Sequence, residues 1–167
     1  MKFTDHWALH GKYNSPEAPQ QIIGTLQEHI LALPYTRRWC IFNIQECSDE
    51  GRYLSKCIQQ KTAIAVSDGS FKDDKGSAAW VLEDSTSLYH LSGHADSPGS
   101  PVEQSAYRSE LVGLLELVML IQELSMFHNI SEGQVTVGCD NESALNLALT
   151  WTPKLHPQWP TMTSSAH

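Results

Sequence analysis

Three acids stand out by where they fall. Asp68 ends the small-and-apolar run Ala63-Ile64-Ala65-Val66-Ser67. Glu110 lies in Ser105-Ala106-Tyr107-Arg108-Ser109-Glu110-Leu111. Asp140 closes the run Val135-Thr136-Val137-Gly138-Cys139. A run that is apolar on both faces is a strand covered on both sides, so an acid at its end is half-desolvated and must be compensated. Three carboxylates that converge with no lysine or arginine between them repel one another. Together they are an oxygen cage for a hard divalent cation, Mg²⁺ or Mn²⁺. Such a cage holding two ions about 4 Å apart suits in-line displacement at phosphorus. Each acid also has a plainer role open to it: Asp68-Gly69 as a turn dipeptide, Glu110 as a solvated helix acid, Asp140 as the N-cap of the helix it precedes. Arg108 is the one cation near the motif, placed to meet a neighbouring acid or a phosphate. Glu116, six residues beyond Glu110, falls on another helix face and is not part of the cage.

The elements that must bring these acids together are legible in outline. Residues 62–68 form a strand. After the polar turn Lys72-Asp73-Asp74-Lys75-Gly76, residues 77–83 form a second, and after Asp84-Ser85-Thr86 a third runs to about His94. This is an antiparallel meander. A long helix ends near His128. It starts either at Ser100-Pro101-Val102-Glu103, a capping-box pattern, or at Ser105, an equally good N-cap. From Leu111 to Leu124 it is apolar on nearly every side, so it is buried. Residues 134–139 form a fourth strand, and Asp140 opens a helix through Leu149. A right-handed crossover sets the fourth strand parallel to the first and beside it. Asp68 and Asp140 are then neighbours, with Glu110 above them on the covering helix.

Upstream, Ser15-Pro16 starts a helix that Pro34 stops, Trp39 to Ile44 reads as a strand, and Ser48-Asp49-Glu50 opens a short helix to about Gln59. Charge divides unevenly. Residues 1–61 hold seven basic and six acidic side chains, a net of +1. Residues 62–167 hold four and thirteen, a net of −9, and the two sum to the −8 of the whole chain. The acid-bearing half therefore repels nucleic acid unless cations or another polypeptide intervene. Cys40, Cys47, Cys57 and Cys139 form no C-x-x-C pair and read as reduced thiols, which fits a cytoplasmic or nuclear setting. No signal core opens the chain, and Leu111 to Ile121 is too short and too interrupted to span a bilayer.

The segments Ser67-Asp68-Gly69-Ser70, Gly76-Ser77-Ala78-Ala79-Trp80, Ser105 to Leu111, and Gly138-Cys139-Asp140-Asn141-Glu142-Ser143-Ala144-Leu145 resemble the ribonuclease H domain that follows reverse transcriptase in retroelements. The resemblance covers about residues 62–150. It implies an α/β ribonuclease H-like fold: a three-strand antiparallel meander plus a parallel strand, with helices packed on the sheet. It implies Asp68, Glu110 and Asp140 as catalytic metal ligands for Mg²⁺ or Mn²⁺, an RNA·DNA hybrid as substrate, and a reverse transcriptase polypeptide as partner. A hybrid is recognised by backbone shape and 2′-hydroxyls, so no base specificity is expected. Residues 1–60 resemble the connector between polymerase and ribonuclease H, giving an expected division into a 1–60 appendage, an incomplete 61–150 domain and a 151–167 tail. The family's fourth acid lies well beyond the third, yet no Asp or Glu follows Glu142, and the family's catalytic-loop histidine has no counterpart in His156 or His167. The chain is therefore expected to cut hybrids poorly, or to be a truncated, inactive fragment that docks nucleic acid or protein.

Overall fold

In the computed structural model, which describes residues 7–12, 24–45, 49–86 and 88–150, successive residues of the first predicted strand turn opposite ways. Ala63, Ala65 and Ser67 are buried, while Ile64 and Val66 are only partly covered and Asp68 is exposed. That is the period-two pleat of a strand with one packed face. The elements in chain order are β1 (Trp7–Lys12), α1 (Leu26–Ala32), α2 (Tyr35–Arg38), β2 (Ile44–Gln45), α3 (Arg52–Gln60), β3 (Ala63–Lys72), β4 (Lys75–Asp84), β5 (His90–Asp96), α4 (Ala106–Phe127), β6 (Glu132–Gly138) and α5 (Glu142–Thr150). A 3-10 turn, Pro101–Glu103, precedes α4.

The protein is α/β with a mixed six-stranded sheet in the order β1-β6-β3-β4-β5-β2. The meander β3-β4-β5 is antiparallel, and β6 returns parallel to β3. All four strands expected in residues 61–150 are present, and β1 and β2 extend the sheet at its two edges. Against the sheet lie α4, with Leu117, Leu120 and Leu124 in the core, and α3, with Leu54, Cys57 and Ile58, while α5 packs on α4 and adds Ala144 and Leu145 to the core.

Both candidate starts of the long helix are used. Ser100 and Glu103 form a capping box around the 3-10 turn, and the Ser105 hydroxyl accepts from the Arg108 N–H at 3.1 Å to cap α4. Pro34 ends α1 as expected. The helix does not run unbroken from Ser15, because Gly24 has φ +117° and Thr25 caps a fresh start through a capping box with Glu28. The Trp39–Ile44 strand is not formed. The N–H groups of Ile41 and Phe42 donate to the Arg38 carbonyl, continuing α2 as turns, and only Ile44 and Gln45 pair in the sheet. Cys40 and Ile41 are both buried, and two adjacent inward residues suit a turn rather than a pleat. The helix expected from Ser48 begins at Arg52, where Asp49 accepts from the Gly51 and Tyr53 N–H groups. Ser15-Pro16, Ser48 and the 151–167 tail lie outside the described residues.

The charge break at Lys61 has no counterpart in packing. Leu26, Ile30, Cys40, Ile41, Leu54, Cys57 and Ile58 share one core with Trp80, Leu82 and Leu120. No described helix is long and apolar enough to cross a membrane.

Candidate metal centre

Two small-residue contacts set the height of α4 above the sheet. A methyl group on Gly69 would collide with the backbone nitrogen of Glu110, and one on Gly113 would stand 3.0 Å from the Ser67 Cβ. Glycine at both crossings lets α4 lie almost on β3, which brings Glu110 down beside Gly69, just beyond the β3 residues that pair with β6. On the sheet, the parallel pairing of β3 and β6 runs from Ala63↔Val135 to Val66↔Gly138. Asp68 and Asp140 each lie two residues beyond that last pair, so the register places them at the same level although β3 itself continues to Lys72.

Glu110 is 6 % exposed, whereas Asp68 and Asp140 face solvent. Burial is the main cause that raises the Glu110 pKa. The Gly69 N–H donates to its carboxylate and opposes the rise, as does the Cys139 thiol, while the charges of Asp140 and Asp68 add to it. Both aspartates therefore act on Glu110. Oxygens of Glu110 and Asp140 and the sulfur of Cys139 all lie within 4.8 Å of one another, and Asp68 stands outside that trio.

Cys139 was not among the residues singled out as ligands. Its Sγ–H donates to Glu110 Oε2 at 3.5 Å, and burial pushes the thiol up to about 11, so it sits there protonated. Its inward position continues, just beyond β6, the alternation that buries Val135 and Val137, while Asp140 is exposed. Asp140 is not the cap of α5. Asn141 is: its Oδ1 accepts from the Ala144 N–H at 3.0 Å. Arg108 is turned to the preceding loop, with Nε donating to the Pro98 carbonyl at 2.9 Å and its charge helping to hold the Glu103 carboxyl low. Glu116 stands apart from the cluster, as its helix position implied.

Of the clustered donors, the Glu110 and Asp140 carboxylates suit a hard cation and the Cys139 thiol does not. A buried carboxylate is repelled by two others, and the ion pairs found among the described residues, both to Glu123, bring no basic side chain to it. Magnesium or manganese is accordingly expected to raise the melting temperature, by about 2.7 kcal/mol of stability at a hundredfold excess over Kd. The triple variant Asp68→Asn/Glu110→Gln/Asp140→Asn is expected to lose that gain. A thermal-shift titration checks this, and an equal metal response in the variant rules the assignment out.

Comparisons with protein-family models, curated proteins and solved structures find no match to this chain. Its function therefore has to be argued from the site.

Proposed function

We propose that this is a ribonuclease H-like domain that hydrolyses the RNA strand of an RNA·DNA hybrid in a metal-dependent reaction. The observation that carries the reading is the register: Asp68 and Asp140 each follow the last β3–β6 pair by two residues, with Glu110 brought against Gly69 by the close crossing of α4. Asp68, Glu110 and Asp140 are the residues that would hold the cation. Bound there, a divalent cation supplies an activated water and offsets the charge that develops at phosphorus. The protein's own contribution is placement. The Gly69 N–H and the Cys139 thiol fix the Glu110 carboxylate, and the exposure of Asp68 and Asp140 opens the site to a ligand as large as a duplex.

Two features argue for slow turnover. Holding two ions takes more oxygen ligands than Asp68, Glu110 and Asp140 readily give. The net −9 of residues 62–167 weakens the grip on a polyanion and makes it salt-sensitive. The same features favour a second reading, a domain that folds and docks without cutting. The two part in one assay, a labelled hybrid incubated with the chain and Mn²⁺ beside an Asp68→Asn control. Slow cleavage that disappears in the control is expected. Cleavage that survives in the control removes the site. No cleavage at all, with the thermal response to metal intact, selects the second reading.

A further inference from the structure

The turns around α2 have two apolar sides, and only one is used in packing. Inward, Cys40 and Ile41 enter the core and Arg37 reaches Glu123 on α4. Outward, Tyr35 is 72 % exposed and Phe42 49 %. The Trp39 N–H donates to the Tyr35 carbonyl at 3.1 Å and the Phe42 N–H to the Arg38 carbonyl at 2.9 Å, so turns with helical spacing carry on from α2, which ends at Arg38, as far as Phe42. Residues 35, 38 and 42 therefore share one face, at spacings of three and four. Arg38 Nη1 donates to the Leu31 carbonyl, and Gln27 Nε2 donates to the Phe42 carbonyl at 3.4 Å. These bonds tie the turn to α1. The result is a row of ring, guanidinium and ring on a hydrogen-bonded support, with donors of Arg38 beyond the one that Leu31 takes.

We propose that Tyr35, Arg38 and Phe42 form a stacking site for an unpaired stretch of nucleic acid, a role that rests on the nuclease reading above. Charge selects this occupant. Within residues 24–45 the one acid is Glu28, and its carboxylate is folded back onto the Thr25 N–H at 2.8 Å. The row thus offers a cation with no carboxylate beside it in sequence. It lies in the half of the chain with net charge +1, while the other half repels a polyanion. Exposed rings interleaved with an arginine accept any base on their faces, and arginine adds a phosphate contact or a cation–π contact. Position supports the same choice. Glu123, which Arg37 holds, is thirteen residues along α4 from Glu110, about 20 Å at the helical rise. A single strand leaving a hybrid at the carboxylates could reach the row within a few nucleotides.

The test is fluorescence anisotropy with the full chain, a labelled unstructured 15-mer and EDTA present, so that binding is read without metal or cleavage. Wild type is expected to bind, and Tyr35→Ala/Phe42→Ala to weaken binding by about tenfold for each ring. Arg38→Gln is expected to weaken it and to lower the slope of log K against log salt by about 0.7. Tyr35→Trp/Phe42→Tyr should restore affinity, which separates stacking from damage to the turn. No binding by wild type, or equal affinity in the double alanine variant, overturns the row. So does reduced self-association of that variant in sedimentation without a change in nucleic-acid affinity, which would make the patch a protein contact. Loss of cleavage in the hybrid assay with this binding intact would overturn the nuclease reading and leave the row standing.

Discussion

Replacing Glu116 with methionine is expected to stabilise the protein, and to do so more at pH 8 than at pH 5. Glu116 sits midway along α4 with 0 % exposure, and neither carboxylate oxygen has a hydrogen-bond partner among the described residues. Burial alone pushes its pKa from the ordinary 4.5 to about 8. Its nearest titratable neighbour in effect is the Cys40 thiol, itself pushed up to about 12, first by burial and then by Glu116. In this window the folded state binds a proton that the unfolded chain has released. Stability is therefore full below about pH 4.5, falls as pH rises toward 8, and levels off above it. A shift of that size corresponds to at most ~5 kcal/mol across the window. Methionine fills nearly the same volume, carries no charge and needs no partner. Its gain at pH 8 is expected to be about 3 kcal/mol, or roughly 6–12 °C in Tm for a chain of this size. Glu116→Gln should flatten the pH dependence while gaining less, because the amide is also buried without partners. Thermal melts of the three proteins from pH 5 to 8.5 check both. Parallel curves for wild type and Glu116→Gln would mean that the carboxyl reaches water.

How much of this was legible beforehand differs from residue to residue. The parallel pairing of β3 with β6, which sets Asp68 and Asp140 at matching positions beyond their last pair, followed from the handed crossover. The burial of α4 followed from its all-round apolar surface. That same surface implied that any acid inside it would be buried, so Glu116 and Glu123 were in principle findable. What hid them was the habit of reading helix acids as solvated. Cys139 could have been found by alternation from Asp140. The capping assignment was off by one residue, because Asn141 and Asp140 are both good caps and only the backbone chooses between them. Trp39 to Ile44 misled because aromatic and branched residues favour strands only where a pleated surface awaits them, and here the core takes Cys40 and Ile41 together. The contribution of residues 24–60 to the core was masked by charge. A change of net charge along a chain reports on solvent-facing side chains and says nothing about where Leu54 or Ile30 will pack.

Arg37→Met is expected to cost about 3 kcal/mol, on the scale of truncating a buried apolar side chain. Glu123 on α4 is wholly buried, and its partners are His29 Nε2 at 3.0 Å and the Arg37 guanidinium. These contacts join the polar side of the α1–α2 segment to α4, just where Leu26, Ile30 and Ile41 join its apolar side to the core. Removing Arg37 leaves a buried carboxylate with the imidazole alone, and stranding a buried charge costs several times what a surface pair is worth. Glu123→Gln is the milder change, about 1–2 kcal/mol, because the Arg37 side chain is 36 % exposed and can return its charge to water. The double change Arg37→Met/Glu123→Met removes both charges and supplies apolar volume, so it should lie close to wild type. Urea titrations at pH 7 give the three values. The order Arg37→Met, then Glu123→Gln, then the double variant identifies a desolvated pair, whereas three losses within 0.5 kcal/mol of zero would identify a solvated one. The thermal response to Mg²⁺ separates local from global damage. Glu110 lies about 20 Å away along α4, so a variant that loosens only the far end of the helix keeps its response to metal. A loss of metal binding in Arg37→Met would instead show that α4 moves as one rod and that the segment helps hold the carboxylates in place.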